Sequence, residues 1–94
     1  IPALAEVQVA LESAVAEAIK QKLLRSDFPA SIIADMLMKI YLANLREFLF
    51  DQVDLEAFRD TTAAEFWLCL LGLATEDLRQ TYLKRAKSAA KTLR

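Results

Sequence analysis

Apolar positions along this chain follow a helical rhythm almost throughout. Leu4, Val7, Leu11, Ala14, Val15, Ala18, Ile19 and Leu23 recur at steps of three and four, which predicts an amphipathic helix from Ala3 to Leu24 with one buried, alanine-rich stripe. Arg25-Ser26-Asp27-Phe28-Pro29 then reads as a turn, because proline holds the residue before it out of the α region and suits the first position of a helix. A second helix is predicted from Pro29 to Phe50. Its charged side is narrow, since Asp35, Lys39 and Arg46 fall within about 40° of one another at about 100° per residue, and Asp35 and Lys39 are spaced for an i,i+4 pair. The rest of the arc is apolar, interrupted by Asn44, Glu47 and Ser31. One core contact needs a stripe of only about 100°, so this helix has apolar surface to spare.

Asp51 to Asp60 reads as a connector, in which Asp54 is placed to cap a short helical turn over Leu55, Glu56, Ala57 and Phe58. Thr62 and Glu65 have the spacing of a capping box, and the segment after them, Phe66-Trp67-Leu68-Cys69-Leu70-Leu71, has no polar face. A helix apolar all round must be covered all round. The run is too short for a bilayer, which takes about 20 apolar residues, and a chain of 94 residues has little of itself to spare as a cover. A partner subunit is therefore expected. Gly72 reads as a close-packing point or kink rather than a stop. Thr75-Glu76-Asp77 resembles a fresh N-terminus with a hydroxyl cap and acids in the first turn, leading a last helix to about Thr92. The spacing leaves open whether the last two helices are separate or one bent rod.

Composition narrows the class. Gly72 is the only glycine, Pro2 and Pro29 are the only prolines, and 55% of residues are hydrophobic. Chains rich in strands need many turns built from glycine and proline. The expectation is one all-α domain, a small bundle of three to five helices dimerising through helices two and three. Ile1 at the start, followed directly by helix, suggests a piece of a longer protein.

Candidate chemistry is sparse. Histidine is absent and Cys69 is the only cysteine, which excludes an intrachain disulfide, suits a reducing compartment and agrees with a cytoplasmic protein. There is no glycine-rich phosphate loop and no nucleophile with a histidine. Glu12 with Glu17, or Asp51 with Asp54, read as soluble surface. No enzyme, metal or cofactor is expected. The segment from Thr75 carries six cations against two acids, +4, leaving −5 before it in a chain of net −1. Cations complement a helix C-terminus, and no aromatic residue stands among the later charges to stack on bases, so dipole complementation is preferred to nucleic-acid or membrane contact. Asn44 interrupts an apolar arc and, if buried, needs a hydrogen-bond partner. An interface partner, a ligand and open water are equally open to it.

The order Leu24-Arg25-Ser26-Asp27-Phe28-Pro29, Ile33-Ala34, Ile40-Tyr41-Leu42-Ala43-Asn44-Leu45 and Phe66-Trp67-Leu68-Cys69-Leu70-Leu71-Gly72-Leu73 resembles the C-terminal half of TetR-like transcriptional regulators. The shared features are an Arg-x-Asp turn, an alanine near the start of the next helix, and a leucine-rich helix ending near Gly-Leu. The resemblance covers roughly Ile19 to Leu73. Asn44-Leu45 stands where a small residue or glycine is common, and the basic last helix is not a hallmark of the family. The resemblance implies the dimerisation and small-molecule-sensing domain of a repressor-type regulator. It implies self-association as a homodimer and a small apolar effector held inside the helical domain. DNA would be bound only through an upstream helix-turn-helix domain not present in this sequence, with no membrane contact. The effector is expected between helix one and helices two and three, against some of Val15, Ile19, Met36, Ile40, Tyr41, Phe66 and Trp67. Met38, Leu42, Leu45, Leu49, Leu70 and Leu73 are the expected dimer face. The alternative from another class is a stand-alone helical adaptor that binds a partner's helix through an apolar face.

Overall fold

The computed structural model describes residues 2–51 and 53–93. It has four helices: α1 (Pro2–Lys20), α2 (Ala30–Phe50), α3 (Leu55–Leu71) and α4 (Arg79–Ala90), with short 3₁₀ turns at Glu76–Leu78 and Lys91–Leu93. The expectation of an all-α chain holds among the described residues. Neighbours in sequence are neighbours in space: α1 lies on α2, α2 on α3 and α3 on α4.

Helix α1 stops four residues before the apolar rhythm does, and the reason is local. Lys22 takes a left-handed backbone with φ 61°. The Leu23 amide donates to the Ala18 carbonyl at 2.8 Å and the Lys22 amide to that of Ile19 at 3.0 Å. These two bonds are the 6→1 and 5→2 pair of a Schellman cap, here closed by lysine instead of glycine. Leu24 is thereby freed to form an antiparallel β-bridge with Ala74. The Arg25 amide donates to the Leu73 carbonyl at 2.7 Å, and the Tyr82 hydroxyl donates to the Leu23 carbonyl at 2.9 Å. The α1–α2 turn is thus tied to the α3–α4 turn by the bridge and its hydrogen bond, and to α4 by Tyr82. Arg25 and Asp27 pair within the turn at 2.6 Å, with both side chains about half exposed, so solvent screens the pair and it adds little to stability.

Asp54 caps α3, its Oδ1 accepting from the Ala57 amide at 2.7 Å. The expected short turn and the expected third helix are therefore one helix, and Thr62 and Glu65 lie inside it. The capping-box reading is corrected: both side chains turn instead toward α2. Gly72 is the C-cap of α3, with φ −66° and ψ −17°. The glycine read as a packing point is a stop, and α3 and α4 are separate helices. Thr75 precedes the 3₁₀ turn in extended geometry but makes no side-chain cap, and its hydroxyl oxygen is buried without a hydrogen-bond partner.

Val15, Leu24, Ile33 and Leu37 form the core, with Leu11, Ala18, Ile19, Phe66, Leu70, Leu73 and Tyr82 packed around them. The core is thin and the molecule is flat. The Cα extents are 39 × 34 × 14 Å and the radius of gyration is 13.8 Å, against about 12 Å for a compact chain of this length. The accessible surface is 6732 Å², roughly 1,200 Å² above the size-scaling value for a folded monomer.

Candidate functional site

Helices α2 and α3 run alongside each other, and two sets of side chains fix their alignment. At one end Phe58 meets Phe48 at 5.2 Å and Tyr41 edge-on at 6.0 Å between ring centroids. In the middle, Asn44 is buried and donates through Nδ2 to Glu65 Oε1 at 2.6 Å and to Thr62 Oγ1 at 3.2 Å. Of the three fates open to Asn44, none applies within the chain: it is a clamp between two of the chain's own helices. Past this clamp the helices leave an open groove.

The groove is apolar. Phe28, Ile32, Ile33, Met36 and Ile40 line one wall, and Cys69, Gly72 and Leu73 the other, around about 440 Å³. The four-residue step Ile32, Met36, Ile40 puts these side chains in one row on α2, and Phe28, in the turn before the helix, extends the same wall. Gly72 contributes no side chain, which keeps that wall low. Phe28, Ile32 and Met36 are each about half exposed, although large apolar side chains are ordinarily the first to be covered. The only titratable group in the groove is Cys69, whose thiol is pushed above its ordinary value of 9.0 by burial. It is protonated at neutral pH and is a weak nucleophile. The groove offers shape and apolar contact, with no acid–base pair. Among the described residues no three His, Cys, Asp or Glu side chains come close enough to hold a metal.

The seven residues expected to share one effector pocket are found in four settings. Val15, Ile19 and Phe66 fill the core. Met36 and Ile40 line the groove. Tyr41 packs on Phe58. Trp67 meets Tyr82 edge-on at 5.8 Å, on the α4 side of α3, with the Arg85 guanidinium 5.9 Å from its ring centroid. Side chains of α1, α2 and α3 pack together where the effector was expected, and the apolar groove lies instead between α2 and the end of α3. Of the expected dimer face, Met38 is buried in the chain and Leu70 and Leu73 pack against the core. Leu45 is half-buried, and Leu42 and Leu49 are exposed. Sequence reasoning missed Phe28, Ile32, Ile33, Cys69, Gly72 and Leu73 as groove residues; the four-residue steps leading to Met36 and Ile40 were a signal for Phe28 and Ile32, and none pointed to the wall from α3.

The basic charges of α4 stay at the surface, and Lys84 and Arg85 share a shallow hollow with Thr81 and Ser88. No helix among the described residues is long and apolar enough to cross a membrane. Comparison of the chain with protein-family models, with curated proteins and with solved structures finds no match.

Proposed function

We propose that this chain is the dimerisation and effector-sensing part of a TetR-like transcriptional regulator. It pairs with a second copy through α2 and α3, holds a small apolar effector without catalysis, and reaches DNA through a separate domain. The observation that carries the reading is the excess of exposed surface. An extra ~1,200 Å² over a compact monomer exceeds the ~800 Å² that each partner contributes to a standard interface. Much of what is exposed is apolar and sits on α2 and α3: Ile32, Met36, Leu42, Leu49, Phe50 and Leu68. The groove supports the sensing half, because ligand sites are concave and largely apolar. The sequence resemblance of Ile19 to Leu73 supplies the regulatory context.

Sedimentation equilibrium across micromolar concentrations tests the dimer, with twice the chain mass expected. Trp67 is a poor reporter of the groove, because it packs edge-on against Tyr82 on the α4 side. Cys69 lines the groove, and its alkylation rate reports occupancy. A panel of small apolar compounds should include members that slow alkylation saturably. A folded monomer whose Cys69 reacts at one rate across the whole panel would overturn the reading.

A further inference from the structure

The exposed face of α2 has an internal order. Ile32, Asp35, Lys39, Leu42, Arg46 and Leu49 are separated by alternating steps of three and four. That alternation is the seam spacing of a coiled coil. All six side chains are exposed, with Ile32 at 51% and Leu49 at 59%. Three apolar and three charged positions therefore share a single line, with an apolar residue at each end.

This pattern selects one geometry. Two copies of α2 in parallel and in register would set Asp35 against Asp35, Lys39 against Lys39 and Arg46 against Arg46, and like charges directly opposed are destabilising. Reversing one copy removes every such clash. We infer that α2 pairs antiparallel with α2 of a second copy about a two-fold axis at the middle of the helix, so that Asp35 meets Arg46 of the second copy and Ile32 meets Leu49 of the second copy. Each contact occurs twice, as a two-fold axis requires. Lys39 lies against Leu42 of the second copy, its methylene stem on the leucine and its ammonium still on its own Asp35, which is 3.3 Å away. The axis falls between Ile40 and Tyr41, at the centre of Ala30–Phe50, so both helices overlap along their full length. The other antiparallel register, with Asp35 opposite Lys39 and Ile32 opposite Leu42, leaves Leu49 uncovered. The inference rests on the self-association proposed above and adds its axis and charge code. Ile32 also lines the α2–α3 groove, so the second copy closes one edge of that groove.

Charge exchange tests the register. Asp35→Arg alone sets two pairs of cations face to face, and Arg46→Asp alone sets two pairs of anions. Each variant is expected to dimerise more weakly by on the order of tenfold or more. In an equimolar mixture the heterodimer regains both ion pairs, so dimer mass should return at a concentration where each variant alone is monomeric. Circular dichroism verifies that both exposed substitutions leave the helices intact. In a Cys69→Ser background, Ile32→Cys mixed with Leu49→Cys should give a disulfide-linked dimer. Mixing Ile32→Cys with Leu42→Cys should give much less. Dimeric wild type with unimpaired single variants, or with no rescue on mixing, overturns the α2 seam and leaves self-association standing. Monomeric wild type overturns both.

Discussion

Asn44 and Glu65 join α2 to α3 through a 2.6 Å hydrogen bond, with Thr62 taking a second from the same amide nitrogen. A hydrogen bond to a charged acceptor is worth more than one between neutral groups, about 1.5–3 kcal/mol. Asn44→Ala also strands a carboxylate in a half-buried site. We expect a loss in that range, read as a lower midpoint in urea unfolding. Glu65→Ala should then cost less in the Asn44→Ala background than in the wild type, the difference being the coupling of the pair. Additive losses from the two substitutions would show that the pair is not a clamp.

Burial pushes the Tyr82 phenol above its ordinary value of 10.0, and the neutral hydroxyl donates to the Leu23 carbonyl. The folded chain therefore holds this proton more tightly than the unfolded chain. By linkage, stability falls with pH wherever the unfolded state binds fewer protons. The contribution is complete below pH 10 and is lost as pH climbs through the raised value, where a phenolate no longer donates. Thermal melts of wild type and Tyr82→Phe should show a steeper alkaline decline in the wild type. Parallel declines would mean that Tyr82 does not couple to folding.

The helices were legible because their signals are local. Pro29, Asp54 and the three- and four-residue apolar steps each act within a turn or two, and α2 ends at Phe50 as its pattern indicates. What escaped depended on partners far along the chain. Leu23 and Leu24 continue the rhythm of α1, yet their backbone is engaged by Leu73, Ala74 and Tyr82, some fifty residues on. Thr62 and Glu65 have the spacing of an N-terminal capping box, and that spacing equally puts two polar groups on one side of a helix, where Asn44 finds them. The groove follows the same rule. Met36 and Ile40 were assignable to a pocket from their apolar character, but its other wall, Cys69, Gly72 and Leu73, comes from a different helix and its cap.

Lys22 holds a left-handed backbone at the Schellman position of α1. A residue with a Cβ there is strained by about 1–2 kcal/mol, whereas glycine is not, although it loses more chain entropy on folding. Lys22→Gly is expected to raise stability by about 0.5–1 kcal/mol and to leave the Leu24–Ala74 bridge in place. Differential scanning calorimetry gives the sign directly. A destabilised variant would show that the lysine side chain itself holds the turn.

Gly72 runs the same reasoning in reverse. Its φ of −66° and ψ of −17° suit any L-residue, and a methyl added there meets nothing closer than the Cys69 carbonyl at 3.6 Å, an ordinary contact. Alanine lowers the entropy of the unfolded chain without strain in the folded one, so Gly72→Ala should stabilise by about 0.4–1 kcal/mol. The position also lines the groove, so the added methyl should slow alkylation of Cys69. The two readouts separate two roles for the glycine. Higher stability with slower alkylation means that the position is free for a side chain and that the groove is what the glycine leaves open. Lower stability, growing with protein concentration, would mean instead that a second copy lies against Gly72 and needs its bare backbone.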